Sequence, residues 1–170
     1  LNSRFLQWWW ILLPGVAAAF YLRHRWARPA SEQRYRISRV IEETEGVTTL
    51  QMRPLQEARP YEYNPGQFHF ITLERREDLP VEEHHFTISS SPANSEYISS
   101  TIKASGDFTS TIRETRQGDG AILQGPFGRF SYVFHPEEKD LVFVTAGIGI
   151  TPYISMLRHM RDEDRREKSV

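Results

Sequence analysis

Between Arg34 and Leu123 the chain falls into six short β-prone runs divided by turn residues, and this spacing constrains the fold more than any other feature. Tyr35–Ile41 and Val47–Met52 are the first two runs, with Glu45-Gly46 as the turn between them. Gln67–Leu73 follows the turn Asn64-Pro65-Gly66. His84–Ser90 is the fourth run, and Tyr97–Lys103, with Ile98 and Ile102 as its apolar residues, is the fifth. Ala121–Leu123 is the sixth, just ahead of Gly125-Pro126-Phe127-Gly128. Short strands at near-regular spacing predict a small antiparallel barrel, because closure removes the unpaired edges of such a sheet. A short helix is expected over Phe108–Thr115, with Asp107 as its N-cap.

Two stretches flank this pattern and differ from it. Phe5–Leu22 is apolar apart from Gln7 and would rise roughly 27 Å as a helix, close to a hydrocarbon core of about 30 Å. Trp8-Trp9-Trp10 at one end, and Tyr21 and Trp26 at the other, suit the two membrane interfaces. Arg23, Arg25 and Arg28 then place the following chain on the cytoplasmic side. A signal peptide cleaved at Ala17-Ala18-Ala19 and a buried soluble helix are the competing readings. The basic cluster after the apolar run argues against the first, and three adjacent tryptophans covering every face argue against the second. On the other flank, Asp140–Thr145 is a continuous apolar run of the kind found in buried parallel strands. Gly147-Ile148-Gly149-Ile150-Thr151-Pro152 follows, then a helix from Pro152 with Tyr153, Met156, Leu157 and Met160 on one apolar face.

These patterns divide the chain into a membrane helix with its basic flank (1–28), a β-barrel domain (29–136) and the first β-turn-α of a nucleotide-binding domain (137–170). The chain opens on Leu1 and stops in the charged run Arg161–Lys168, and it reads as a piece of a longer protein. Basic and acidic residues balance, 21 against 22, so nothing suggests nucleic acid as a partner. Cysteine is absent, which excludes disulfides, iron–sulfur clusters and thiolate chemistry within these residues.

Three motifs carry chemistry. His84-His85-Phe86-Thr87-Ile88-Ser89-Ser90-Ser91-Pro92 ends a β-prone run in hydroxyls and a proline, and it can lay an aromatic face and a hydroxyl against a flat, polar-edged ligand. Alternation sends Phe86 and Thr87 to opposite faces unless the strand bends there. Gly106-Asp107-Phe108-Thr109 opens a helix whose unpaired N–H groups suit a pyrophosphate, with the Thr109 hydroxyl and the Lys103 charge close in sequence. Asp107 counts against an anion directly beside it. Gly147-x-Gly149, after a buried strand and before a helix, lets a phosphate rest on the turn, although the third glycine of a Rossmann fingerprint is replaced by Thr151-Pro152. A metal site from His69, His84 and His85 is disfavoured, since neighbouring strand residues face apart and no carboxylate or thiol stands at ligand spacing.

Together with Gly125-Pro126-Phe127-Gly128, these motifs stand in the order found in the ferredoxin–NADP reductase superfamily. The chain most resembles its membrane-bound branch, the ferric reductases and NADPH oxidases, over roughly Arg34 to Arg161. The resemblance implies a mainly β fold: a six-stranded antiparallel Greek-key FAD-binding barrel, preceded by a transmembrane helix and followed by the start of a Rossmann-like domain. It implies FAD and NAD(P)H as cofactors, with Phe86 stacked on the isoalloxazine and Thr87, the catalytic residue, bonded near N5. His84 and Ser90 would lie near the ribityl-phosphate, and Gly106, Thr109 and Lys103 at the pyrophosphate. Gly147, Gly149, Thr151 and Pro152 would hold the nicotinamide nucleotide. Position 85, where the branch carries proline, holds histidine here. The implied reaction passes hydride from nicotinamide to flavin and then single electrons towards the membrane. The acceptors in that branch are haems on upstream helices; the apolar stretch here has no histidine to ligate one. Ferric iron or oxygen would be the final acceptor. Two alternatives remain: a soluble-type ferredoxin or flavin reductase module, and a membrane-tethered barrel that binds without redox chemistry.

Overall fold

The structure, a computed structural model, describes residues 12–19, 21, 32–55 and 60–164. The chain divides into two compact units, Leu1–Ser31 and Glu32–Val170. In the first, helix α1 is described over residues 12–19 and at Tyr21, running through Pro14-Gly15, and every described residue in it is exposed. Half of the expected span Phe5–Leu22, and all of its basic flank, lie outside the described residues. Among the described residues no helix is long and apolar enough to cross a membrane.

The second unit contains six antiparallel strands: β1 (Gln33–Thr44), β2 (Val47–Pro54), β3 (Phe68–Glu74), β4 (Glu83–Thr87), β5 (Ile98–Lys103) and β6 (Gly120–Phe127). Their order across the sheet is β4-β3-β6-β1-β2-β5. The two ends meet where Ile88 bridges Ser100 and the Ser89 N–H donates to the Ser99 carbonyl at 2.8 Å, which closes the barrel. Each expected run appears as a strand. The largest differences in length are at β1, which starts at Gln33 by pairing with β6 and continues to Thr44 by pairing with β2, and at β6, which reaches Phe127 by pairing with β3. Period-two alternation then fills the interior with Tyr35, Ile37, Leu50, Met52, Ile71, Leu73, Ile88, Ile98 and Leu123, all fully buried.

The expected helix over Phe108–Thr115 is shorter and broken. Helix α2 covers Asp107–Ser110, and a single 3₁₀ turn, Ile112–Glu114, follows. The N-cap is Gly106 rather than Asp107. Gly106 is extended (φ −164°), and the Thr109 hydroxyl accepts from its N–H at 3.0 Å and donates to its carbonyl at 3.2 Å. No side chain caps the first-turn N–H groups; the Thr109 hydroxyl closes back on Gly106 instead.

Asp140–Thr145 also departs from expectation. Residues 141–146 adopt no strand, although their alternation persists: Leu141 and Phe143 pack towards Tyr132, Met156 and Met160, while Val142 and Val144 are 88% and 82% exposed. A parallel strand exists only through its ladder, and no described strand pairs with this segment. Beyond it a 3₁₀ turn (Gly147–Ile150) leads into α3 (Thr151–Asp162), with a proline in its first turn. Tyr153, Met156 and Met160 form its apolar face as expected, but Leu157 is 43% exposed.

Candidate functional site

The register of β3 and β4 decides which way the central motif faces. Ile71 pairs with His84 and His69 with Phe86, so His84 and Phe86 share a face with the barrel interior. His85 and Thr87 pair with Phe70 and Phe68 on the outer face, where Phe68, Phe70, His85 and Phe127 form an aromatic cluster with centroids 5.5–6.1 Å apart. Phe86 and Thr87 thus occupy opposite faces, as alternation requires. Both nevertheless line one cavity, because β4 ends at Thr87.

That cavity, about 340 Å³, lies against the glycine-rich turn. Phe86, Thr87 and Lys103 line it together with Gly149, Thr151 and Pro152, and His85, Thr101, Ile102 and Ile148 complete the wall. A neighbouring cavity of about 500 Å³ shares Thr101, Lys103, Ile148 and Thr151 and adds Gly147 and Arg158. Motifs some sixty residues apart in sequence therefore border one crevice. Thr101 is held in this wall by Thr49 Oγ1 at 2.8 Å and Ser89 Oγ at 3.1 Å, and Thr49 in turn donates to Glu43 at 2.7 Å. Alternation along β5 marks Thr101 as sharing the outward face with Lys103, but only the fold brings both beside Thr87.

The other predicted residues lie elsewhere. The His84 ring stacks on Phe108 at 4.2 Å with planes 23° apart, and its Nε2 pairs with Glu82 at 2.8 Å. This joins the central strand to the Gly106 loop. Arg75 supports the same place from behind: its guanidinium stands 5.3 Å from the Phe108 ring centre and donates to the carbonyls of Thr111 and Pro80. Burial pulls the Arg75 pKa below its ordinary value against the opposing charges of Asp119 and Glu114. Nothing in the motif sequence marks Arg75, which acts through packing. The Thr109 hydroxyl is committed to the loop, accepting from Ser105 and Gly106 N–H groups at 2.9 and 3.0 Å. Asp107, Phe108 and Thr109 retain the first-turn N–H groups that have no partner within a helix. A Cβ at Gly106 would meet nothing within 4 Å, so open space adjoins the start of the turn.

Ser90 is buried rather than exposed to the crevice. Its hydroxyl pairs with Tyr63 at 2.8 Å and accepts from the Ser99 N–H at 3.0 Å. His69 is fully buried between the Tyr61 hydroxyl at Nδ1 and Ser100 Oγ, 2.7 Å from Nε2. Burial holds the His69 pKa down at about 3, so the ring is neutral. Burial likewise raises the Tyr35 phenol to about 12. Among the described residues no three potential metal ligands cluster.

The crevice fits a long, flat, dianionic nucleotide cofactor. It offers an aromatic wall and a hydroxyl at Phe86-Thr87, a cation at Lys103, and the glycine-bearing turn Gly147–Gly149, where a Cβ at Gly147 would meet nothing within 4 Å.

Comparison with known proteins agrees with this geometry. Residues 35–121 match the FAD-binding domain family. NADPH oxidase 1 of Mus musculus is 35% identical over 159 residues, covering 89% of this chain and 25% of the mouse protein. The chain thus spans about a quarter of that relative's length. Among solved structures, the flavohem-like FAD/NAD-binding domain of nitric oxide dioxygenase from Vibrio cholerae superimposes with a TM-score of 0.70 at 21% identity, covering 83% of this chain and 61% of that one. A ferredoxin–NADP⁺ reductase from Neisseria gonorrhoeae with bound FAD and NADP superimposes with a TM-score of 0.62 at 21% identity, over 80% of this chain and 54% of that one. The fold is thereby that of the reductase flavin barrels, and the chain belongs to the FAD-binding domain family, with NADPH oxidases among its relatives.

Proposed function

We propose that the chain is the flavin module of an NAD(P)H oxidoreductase that sends electrons towards a membrane haem domain and on to an acceptor such as ferric iron or oxygen. One observation carries this reading: Phe86-Thr87 and the turn residues Gly149, Thr151 and Pro152 line a single cavity. FAD bound in the crevice supplies the chemistry, accepting a hydride and releasing electrons one at a time.

The residues of the chain bind and orient. Phe86 is the aromatic wall for the ring system, and Thr87 offers its hydroxyl at the ring's reactive edge, the catalytic position. Lys103 and the first-turn N–H groups after Gly106 receive the pyrophosphate, with Thr109 holding that loop in shape. His84 supports the same end through its stack on Phe108, and Ser90 braces the strand terminus from inside. Gly147, Gly149, Thr151 and Pro152 form the opposite wall, where nicotinamide would enter. The apolar stretch and basic flank ahead of the barrel support membrane attachment with this module on the cytoplasmic side.

The test is the visible spectrum of residues 34–170, reconstituted with FAD and desalted. A retained flavin spectrum is expected. Gly106→Asp adds a charge where a side chain meets no atoms, so FAD affinity should fall at least about tenfold without unfolding the barrel. Phe86→Ala should weaken retention less. A folded, colourless protein would overturn the reading in favour of a barrel with no redox role.

A further inference from the structure

Helix α3 carries two stripes on opposite sides. At 3.6 residues per turn, Tyr153, Met156 and Met160 line one face, and Thr151, Ser155, Arg158 and Asp162 line the other. The apolar stripe packs on Tyr132 and the 141–143 segment. The polar stripe is equally engaged. Ser155 is fully buried, and its hydroxyl donates to the Ser90 carbonyl at 2.7 Å. Arg158 Nη1 donates to the Ser89 carbonyl at 2.8 Å. Burial raises the Asp162 carboxyl, but hydrogen bonds from Arg161 and Ser91 and the Arg161 charge outweigh it. Ser89 and Ser90 are therefore gripped by two residues of one helix face. They follow directly on Thr87-Ile88, where β4 leaves the sheet. The fourth member of the stripe, Thr151, is a wall of the cavity.

We propose that Ser155 and Arg158 are positioning residues: a latch that holds the glycine-rich turn at a set distance from Phe86-Thr87 and couples flavin binding to the order of that turn. The proposal rests on the flavin reading above for its coupling arm and on geometry alone for the latch. Two carbonyls at the end of the flavin strand take their donors from α3, so shifting either wall breaks both bonds. Whatever orders the strand end therefore also orders the turn, and the effect is reciprocal.

Amide hydrogen exchange of the whole chain, with and without FAD, tests this in the double variant Ser155→Ala/Arg158→Met. Leu157→Ala, on the exposed side of the same helix, is the control. In the flavin-free protein the double variant, which lacks both hydrogen bonds, should exchange at least about tenfold faster across residues 149–160, with the barrel strands unchanged. Arg158→Lys retains a donor and should recover part of the protection. FAD should slow exchange in this region of the unaltered chain but not of the double variant, although both bind it. Equal flavin-free exchange in the two proteins, or FAD-induced protection that survives in the double variant, overturns the latch. If the unaltered chain binds no FAD, the flavin reading fails, while the flavin-free comparison still decides the latch. Should the double variant lose the far-UV signal of the barrel, Arg158→Met alone, at a half-buried position, is read by the same criteria.

Discussion

The barrel and the segment that follows it contain the same kind of sequence and treat it differently. In β3, Phe68–Glu74, and in residues 141–145, apolar and β-branched residues dominate and alternate in burial. β3 is paired on both sides, by β4 and β6, and its Ile71 and Leu73 are fully buried. The second segment buries Leu141 and Phe143 only partly and exposes Val142 and Val144. A strand is thus a relation between chain segments, and side-chain pattern alone does not make one. The barrel supplies each strand with neighbours from within 32–127, whereas among the described residues the later segment packs on Tyr132 and the apolar face of α3 without a paired strand.

The most direct way to break this comparison is to truncate matched side chains. Ile71→Ala removes a fully buried core side chain and should cost about 2–5 kcal/mol in urea unfolding. Val144→Ala should stay within about 0.5 kcal/mol. Equal costs would mean that the second segment is as integral as the barrel.

A second test uses pH. His69 has a folded pKa of about 3 against an unfolded value of about 6.5, so between these values only the unfolded chain takes up the proton. Its contribution to stability is complete above about pH 6.5 and declines by up to about 1.4 kcal/mol per unit as pH falls towards 3. His69→Leu should flatten this acid limb in denaturant titrations at several pH values, even though it leaves Tyr61 and Ser100 without their partner. The effect belongs to the barrel: near-ultraviolet signals from Tyr35, Tyr61 and Tyr63 should follow it closely.

The third prediction sharpens the boundary between the two regions. Gly66, in the turn before β3, has φ +94°, and a Cβ there would come within 2.3 Å of the Phe130 carbonyl oxygen and 2.5 Å of Met156 Cε. Gly66→Ala should therefore cost more than about 1 kcal/mol by urea unfolding. It should also loosen α3, seen as faster amide exchange around Met156. A loss confined to the barrel would show that the two regions do not rely on this contact.

Much of the barrel was legible because period two is a local property. Tyr35, Ile37, Leu50, Met52, Ile71 and Leu123 all lie in runs whose alternation assigns them to the interior. The motifs, too, were readable one by one, since a glycine next to a helix start or a hydroxyl at a strand end has local consequences. Less of the site was readable. Arg75, Ser155 and Arg158 carry no local signal, because what they do depends on partners between about 36 and 69 residues away. The helix after Gly106 starts one residue earlier than the sequence suggests: Gly106 is its N-cap and Asp107 lies within its first turn.

The sequence by itself determined where the chain alternates, where it turns, and which short motifs can meet a phosphate or a flat ring. These follow from backbone geometry and side-chain shape over a few residues. Only the tertiary structure decided that β4 and β5 close the barrel at Ile88 and Ser100, that residues 141–146 go without a ladder, and that Ser89 and Ser90 serve as the seat for α3. Each of those outcomes is a hydrogen bond, or the want of one, between segments far apart in the chain, and local pattern holds no information about which partner arrives.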